Sequence, residues 1–387
     1  MTDSKKNLFV DVHAVQTVPP ANLNRDDTNS PKTATYGGVR RLRVSSQSWK
    51  KAMRDYFASI PENRNVGVRT RFLSDLIIKA ILRRDPGKTY DEALELSDVV
   101  LHAIYKKKAY KSNIEVIEAD SEDSPDGKKH LKSKVLFFMS SLQADRIAGI
   151  LLDTDPDLDE KKRAKAIENA LRTDNSIDQA LFGRMVADDT SLNIDAAAQV
   201  AHAIGVQKAQ PEFDFFTAVD DNKLEADNNA GAGMMGTVEF SSSTLYRFAD
   251  VSLCQLEENL GDKEAVADTV VEFVDAFVNS VPSGKQNTFA AHTLPAALIV
   301  TLRDHRPISY VGAFEKPIDG DDSADVTSKA VAAMADYAVE TQSAYDLHPL
   351  GSWVVYLTES GKIRDVGEGV NLTELKQRLH DAVLCNL

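Results

Sequence analysis

Cysteine is nearly absent from this sequence: Cys254 and Cys385 are the only two in 387 residues. That scarcity excludes a disulfide framework and a cysteine-based zinc site. The eight histidines are scattered, none three or four residues from another, so the paired spacing of a helical metal site is also missing. No apolar run approaches the roughly 18 residues a membrane-spanning helix needs. The opening MTDSKKNLFV has no hydrophobic stretch with a small-residue cleavage site behind it. These absences lead us to expect a cytoplasmic protein with no intrinsic metal, no cofactor and no membrane partner.

What is abundant is charge, and it is unevenly spread. Acidic residues outnumber basic ones, 59 against 45, for a formal net charge of -14. Taken alone, that balance repels nucleic acid. Yet residues 28–54 contain seven basic side chains, Lys32, Arg40, Arg41, Arg43, Lys50, Lys51 and Arg54, and no acidic one, so this window is +7 and the remainder of the chain -21. Such segregation suits a protein that holds an anion along one surface while an acidic exterior rejects stray polyanions. A solvated basic face is the plainer alternative.

Hydrophobic residues make up 43%, enough for a globular core. Residues 8–15 alternate as a half-buried strand, with Leu8, Val10, Val12 and Ala14 on one face. A polar loop over 19–38 follows, then a short extended segment carrying the three arginines. Ser45 and Ser46 are good helix caps, and Trp49, Ala52, Met53, Tyr56 and Phe57 recur at helical spacing. Lys50, Lys51 and Arg54 fall on the opposite arc of that helix. Its N-terminus presents unpaired N–H groups and a positive dipole end to any phosphate.

Residues 59–200 read as a polar, mostly helical insertion without persistent strand alternation, and with an acidic, mobile loop at 118–126. Residues 213–219 and 238–253 read as strands joined through a Gly-, Asn- and Ala-rich tip at 220–236. A helix over 265–278 and a strand over 298–302 complete the order strand, helix, strand, strand, helix, strand. That is the ferredoxin-like arrangement shared by RRM-type RNA binders. The fold class expected is therefore α+β: a ferredoxin-like (RRM-like) palm in two parts, residues 1–58 and 201–387, a helical finger over 59–200, and a thumb β-hairpin over about 213–253. The C-terminal third adds a helix near 324–344, a strand at 353–357 and a last helix over 372–384, with no evident chemistry.

Several sequence blocks point further. Leu23-Asn24-Arg25-Asp26-Asp27 and the run from Gly37-Gly38 through Val44-Ser45-Ser46-Gln47 to Lys50-Lys51-Ala52-Met53-Arg54 are joined by Gly183-Arg184-Met185, Phe216-Thr217-Ala218, Val238-Glu239-Phe240-Ser241-Ser242, Lys285-Gln286 and Ala313-Phe314-Glu315-Lys316. In this order the blocks resemble the CasC family, the backbone subunit of the type I-E CRISPR Cascade surveillance complex, over most of the chain. The resemblance implies a non-catalytic protein that binds the CRISPR guide RNA, stacks head to tail with copies of itself, contacts other Cascade subunits and presents the guide to a target DNA strand.

By the same resemblance, Arg25, Lys32, Ser45, Gln47, Lys50 and Arg54 hold the guide backbone. Cations neutralise phosphates there, and Ser, Gln and backbone N–H groups fix register without reading bases. Arg184 and Met185 fall where the guide is kinked, a polarisable Met wedging between bases, and Thr217 at the base of the thumb touches the displaced region. Lys161, Lys162 and Lys165 share a helix face and correspond to lysines that touch target DNA. They follow Asp157, Asp159 and Glu160, so salt bridging along the helix surface is the other reading.

Two enzymatic alternatives compete. Asp26, Asp27, Asp220 and Asp221 lie near the expected RNA groove, as a type III-like subunit that cleaves target RNA would require; paired acids without a third ligand make a poor metal site. A metabolic enzyme could bind a phosphorylated ligand at Gly37-Gly38, but no Gly-Lys-Ser or Gly-Lys-Thr follows those glycines.

Overall fold

The computed structural model describes residues 7–60, 65–105, 112–124, 126–153, 155, 159–186, 189–218, 234–319 and 325–387. In chain order, β1 (Leu8–Ala21), β2 (Thr33–Tyr36), β3 (Val39–Val44) and α1 (Ser46–Ser59) come first. Next are β4 (Val68–Thr70), α2 (Leu73–Arg84), α3 (Tyr90–Ile104), β5 (Ile114–Ile117), β6 (His130–Ser133), β7 (Phe137–Met139), α4 (Ser141–Leu152), α5 (Glu160–Arg172) and α6 (Ile177–Phe182). The chain continues through β8 (Ala198–Val200), β9 (Ala203–Gly205), β10 (Glu212–Ala218), β11 (Met234–Ser252), α7 (Leu253–Leu260), α8 (Lys263–Asn279) and α9 (Gln286–Phe289). It closes with β12 (Ala297–Asp304), α10 (Val326–Ala344), β13 (Gly351–Tyr356), α11 (Ile363–Val366), β14 (Glu368–Gly369) and α12 (Leu372–Asn386). Among the described residues no helix is long and apolar enough to cross a membrane.

Two compact units result. The first comprises Met1–Tyr56, Val200–Asp250 and Val270–Asn386, and the second Phe57–Gln199 and Val251–Thr269 with Leu387. The first is organised on a mixed sheet of order β14-β13-β12-β1-β11-β9-β3-β2, in which β13 and β14 run parallel and β12 is antiparallel to both β1 and β13.

β1 is longer than its alternation indicates, and it is covered on both faces. Val10, Val12 and Ala14 are buried, but so are Asp11, His13 and Gln16. A central strand between two layers must satisfy its polar groups internally. Asp11 pairs with Arg303 at 2.7 Å and accepts from the Ile308 N–H; burial, outweighing the Arg303 charge, pushes its carboxyl up to about 7. His13 Nδ1 meets the Tyr246 hydroxyl at 2.9 Å, and its ring stacks on Tyr310 at 4.1 Å. Arg247 is wholly buried, with its guanidinium 3.6 Å from the Trp49 ring centroid and 4.1 Å from that of Phe277, and it donates to Gln16 and to the Phe277 carbonyl.

The polar stretch read as a loop over 19–38 proves to hold the end of β1, a tight turn and β2. Strands β2 and β3 form a hairpin through Gly37 and Gly38, with φ of +58° and +79°, the left-handed conformation that two-residue turns demand and glycine supplies. The strand beside β11 in the sheet is β9, three residues long and too short to show a period in the sequence. β10 also pairs antiparallel with β11, along its first seven residues, from Glu212 opposite Phe240 to Ala218 opposite Met234, as the hairpin expectation requires. The 19-residue β11 is long enough to pair with β1 on one side and with β10 and β9 along its length.

The second unit is helical around a core that includes Leu73, Ile77, Val100, Ile147 and Leu171. Thr89 with Glu92, Ser140 with Gln143 and Ser176 with Gln179 form capping boxes that start α3, α4 and α6. The expectation of no strands over 59–200 is corrected by two antiparallel pairs, β4 with β7 and β5 with β6. Each is too short for alternation to stand out. The turn between β5 and β6, expected to be loose, is tied down by His130, whose two ring nitrogens lie 3.2 Å from Asp75 and 2.8 Å from Asp126.

Burial alone would lower the His130 pKa, but its hydrogen bonds to Asp126 and Asp75 outweigh it and raise the pKa. A raised imidazole contributes stability fully below its unfolded value, near 6.5, and loses it as pH climbs through the folded value. His130→Gln should therefore cost roughly 1 kcal/mol at pH 6 and much less at pH 8. Thermal melts of both forms at the two pH values check this; an equal cost at both would show that the charged clasp contributes nothing.

Candidate nucleic-acid interface

The basic window folds into a surface on the first unit. Its frame is Asn24, at the end of β1: the side-chain oxygen accepts from the Ser45 N–H at 2.9 Å, and the carbonyl accepts from the Lys32 N–H at 2.9 Å. One residue therefore joins the turn over 24–32 to the start of α1. Ser45 is buried, and its hydroxyl accepts from the Ser48 N–H at 3.3 Å as an N-cap. Ser45 thus serves its own helix first, whereas Gln47 on the first turn is exposed, with no acidic residue in that turn. Arg25 is exposed, Lys32, Lys50 and Arg54 are half-buried, and Lys51 is ion-paired with Asp55.

Asp26 is folded into its own turn, accepting from the Thr28 N–H, the Thr28 hydroxyl and the Ser30 N–H. Those bonds, the Thr28 hydroxyl foremost, hold its carboxyl below the usual range. Arg25 does not pair with Asp26; it donates to the Asn29 side-chain oxygen at 3.4 Å. Asp220 and Asp221 lie outside the described residues, and among the described residues no three His, Cys, Asp or Glu side chains converge on a metal position.

Two cations of the window have roles that charge counting misses. Arg41 is buried and donates to the carbonyls of Tyr36, Gly205, Phe314 and Glu315, so it fastens the hairpin and cannot reach a phosphate. Arg43 lies 3.1 Å from His202 Nδ1, and burial together with Arg43 and Lys32 pushes that imidazole below its ordinary value. A neutral histidine among cations marks a locally positive field.

The second unit separates the paired residues 184 and 185. Arg184 is buried and donates to the carbonyls of Leu192, Phe138 and Leu171, at 2.9, 3.3 and 2.5 Å, and burial pulls its pKa down to about 10. Its assignment as a nucleic-acid contact is corrected: the guanidinium is an internal brace. Met185 is 83% exposed beside Gly183, whose φ of +76° makes the turn that lifts the thioether outward. Lys161, Lys162 and Lys165 are exposed on α5, where Asp159 caps the helix.

Thr217 is exposed on β10 opposite Met235, next to residues 219–233, which lie outside the described residues; it is at the far end of the hairpin and not at its base. Phe213 and Phe215 on β10 are 69% and 64% exposed. With Met235 on the opposite strand they leave one apolar strip uncovered, and only the packing around β10 could reveal this.

Fold and site define a mixed α/β protein with a mixed sheet and a cation-rich surface built on a helix start. The chain belongs to the CT1975-like protein family, whose model matches residues 10–378. It is similar to a chain of a solved structure described as a CRISPR RNA-guided surveillance complex, pre-nicking, at 34% identity and a TM-score of 0.79, with 97% of this chain and 100% of that one covered. A second, described as a CRISPR RNA-guided surveillance complex, is 29% identical with a TM-score of 0.70, covering 98% and 100%. No curated protein matches.

Proposed function

We propose that this chain is a non-catalytic subunit of a Cascade-type CRISPR surveillance complex, binding the guide RNA by its phosphates and stacking head to tail along it so that the guide is offered to target DNA. The observation that carries this reading is that Arg25, Lys32, Arg43, Gln47, Lys50 and Arg54 come from the turn over 24–32, β3 and α1, which the Asn24 side chain ties together, while Asp26 is consumed by its own turn. Cationic and amide side chains that meet phosphates and do not read bases suit a strand whose sequence must vary. Similarity over almost the whole chain to subunits of RNA-guided complexes supports it.

The finer parts of the reading follow. The strand order β12-β1-β11-β9, with α1 after β1 and α8 after β11, supports a ferredoxin-like palm over 1–58 and 201–387. The helical region 59–200 is then the finger, the β10–β11 hairpin the thumb, Met185 the wedge at a guide kink, and Lys161, Lys162 and Lys165 a contact for target DNA. The CasC-like blocks around Arg25 and Ser45 support the type I-E assignment.

Co-expression with a repeat array is the direct test. The purified protein should carry RNA of discrete length, and particle mass should increase with guide length, because a head-to-tail contact propagates until the strand ends. Protein recovered free of RNA would overturn the binding role; constant mass on longer guides would overturn the stacking; cleavage of matched RNA at regular intervals with divalent metal would overturn the non-catalytic assignment.

A further inference from the structure

Arg43 and His202 share a contact that fixes the charge state of the imidazole. Arg43 Nη1 lies 3.1 Å from His202 Nδ1. A guanidinium has no lone pair to offer, so Nδ1 must be the acceptor, and an imidazole that accepts there is neutral, with its hydrogen on Nε2. We infer that His202 couples RNA binding to a proton: neutral, it holds Arg43 in the free protein, and when the strand's phosphates arrive it takes a proton from solvent on Nδ1, releases Arg43 and joins it as a second cation. The inference rests on the RNA-binding reading above and adds a positioning residue to it.

Strand register puts these groups side by side. In the β3–β9 ladder Arg43 stands opposite Ile204 and Val44 opposite Ala203. His202, two residues before Ile204, is thus diagonal to Arg43 on the same face of the sheet. On the other side Thr33 stands opposite Leu42, so Lys32 falls across from Arg43, and its carbonyl accepts from the Arg43 N–H at 2.8 Å. Lys32, Arg43 and His202 therefore form one row across three neighbouring segments, and His202 is the exposed end of it.

The charges facing the ring favour its neutral form. Partial burial, Arg43 and Lys32 all lower the imidazole below its ordinary value, and among the described residues no carboxylate acts against them. Along β3, Arg41 is spent on the carbonyls of Gly205 and Phe314, and the first turn of α1 carries no acid. On β11, Arg247 is buried over Trp49, and Asp250 is buried where it acts on Asp11. An incoming phosphate reverses this balance, because it offsets the two cations and gives a protonated Nδ1 an acceptor. A group whose pKa rises on binding makes the binding tighter as pH falls.

The test uses the full chain and oligouridine, whose base gains no proton between pH 5.5 and pH 8. Wild type should bind roughly fivefold tighter at pH 5.5 than at pH 8, because a one-unit rise in the His202 pKa multiplies affinity by at most about ten. His202→Gln keeps an amide oxygen for Arg43 but cannot be protonated, and should lose that gain. His202→Arg, a permanent cation, should bind at pH 8 about as tightly as wild type does at pH 5.5. In histidine-labelled protein, the NMR titration of the His202 ring should move to higher pH when oligouridine is added. A flat wild-type profile, a gain that His202→Gln retains in full, or a ring titration that does not move overturns the proton coupling and leaves the RNA-binding role standing. Wild type that binds no RNA at either pH overturns both.

Discussion

Gly37→Ala should lower the stability of the protein by about 4 kcal/mol or leave it unfolded, whereas Gly38→Ala, one residue on, should cost only about 1 kcal/mol. Both glycines have positive φ, so both substitutions carry the modest penalty of a side chain in the left-handed region. They differ in what a Cβ would meet. At Gly37 it would lie 1.6 Å from the Glu315 carbonyl oxygen, a backbone atom with no rotamer to escape into; at Gly38 nothing stands within 4 Å. Relieving the clash means parting the hairpin from the 315 segment, which breaks the Arg41 bonds to Phe314 and Glu315 and leaves a buried guanidinium short of acceptors. Denaturant melts of the two variants give the comparison, and equal costs would mean that the hairpin yields without loss. The pair also tests the phosphate-loop alternative, because a Gly37-Gly38 turn packed against a carbonyl is structural.

The second large effect concerns binding. The double substitution Lys50→Glu and Arg54→Glu should weaken RNA binding at least a hundredfold at 0.1 M salt, and by the same factor for every guide sequence. Each lost phosphate contact on a single strand removes about 0.7 from the slope of log affinity against log salt, and each introduced carboxylate adds repulsion. The two positions are one helical turn apart on α1 and half-buried at the flank of the face that carries the buried Trp49, Met53 and Phe57. Filter binding across a salt series, with circular dichroism as a control, measures it. A loss confined to particular guides would show that bases are being read and would contradict a phosphate clamp.

Much of the candidate surface was legible in the sequence because its signals are local. An acid-free basic window, a serine cap and an apolar stripe on α1 are contiguous in the chain, and the helix folds where they place it. Met185 was legible only through resemblance, since an isolated methionine is ordinarily core. Asn24 lay within the quoted motif, but nothing in its neighbours shows that it reaches 21 residues ahead to the Ser45 N–H.

By itself, then, the sequence determined charge segregation, the absence of disulfide and zinc frameworks, the long helices and the outer strands, because composition and periodicity act over a few residues. Tertiary structure alone decided which cations face a polyanion. Arg41, Arg184 and Arg247 carry the same guanidinium as Arg25, yet each is buried among carbonyls or rings, and the difference is made by segments up to 274 residues away in the chain. It also decided that the short β9, as well as β10, pairs with β11, and that Phe213 stays uncovered, because strand partnership and burial are set by what packs from elsewhere.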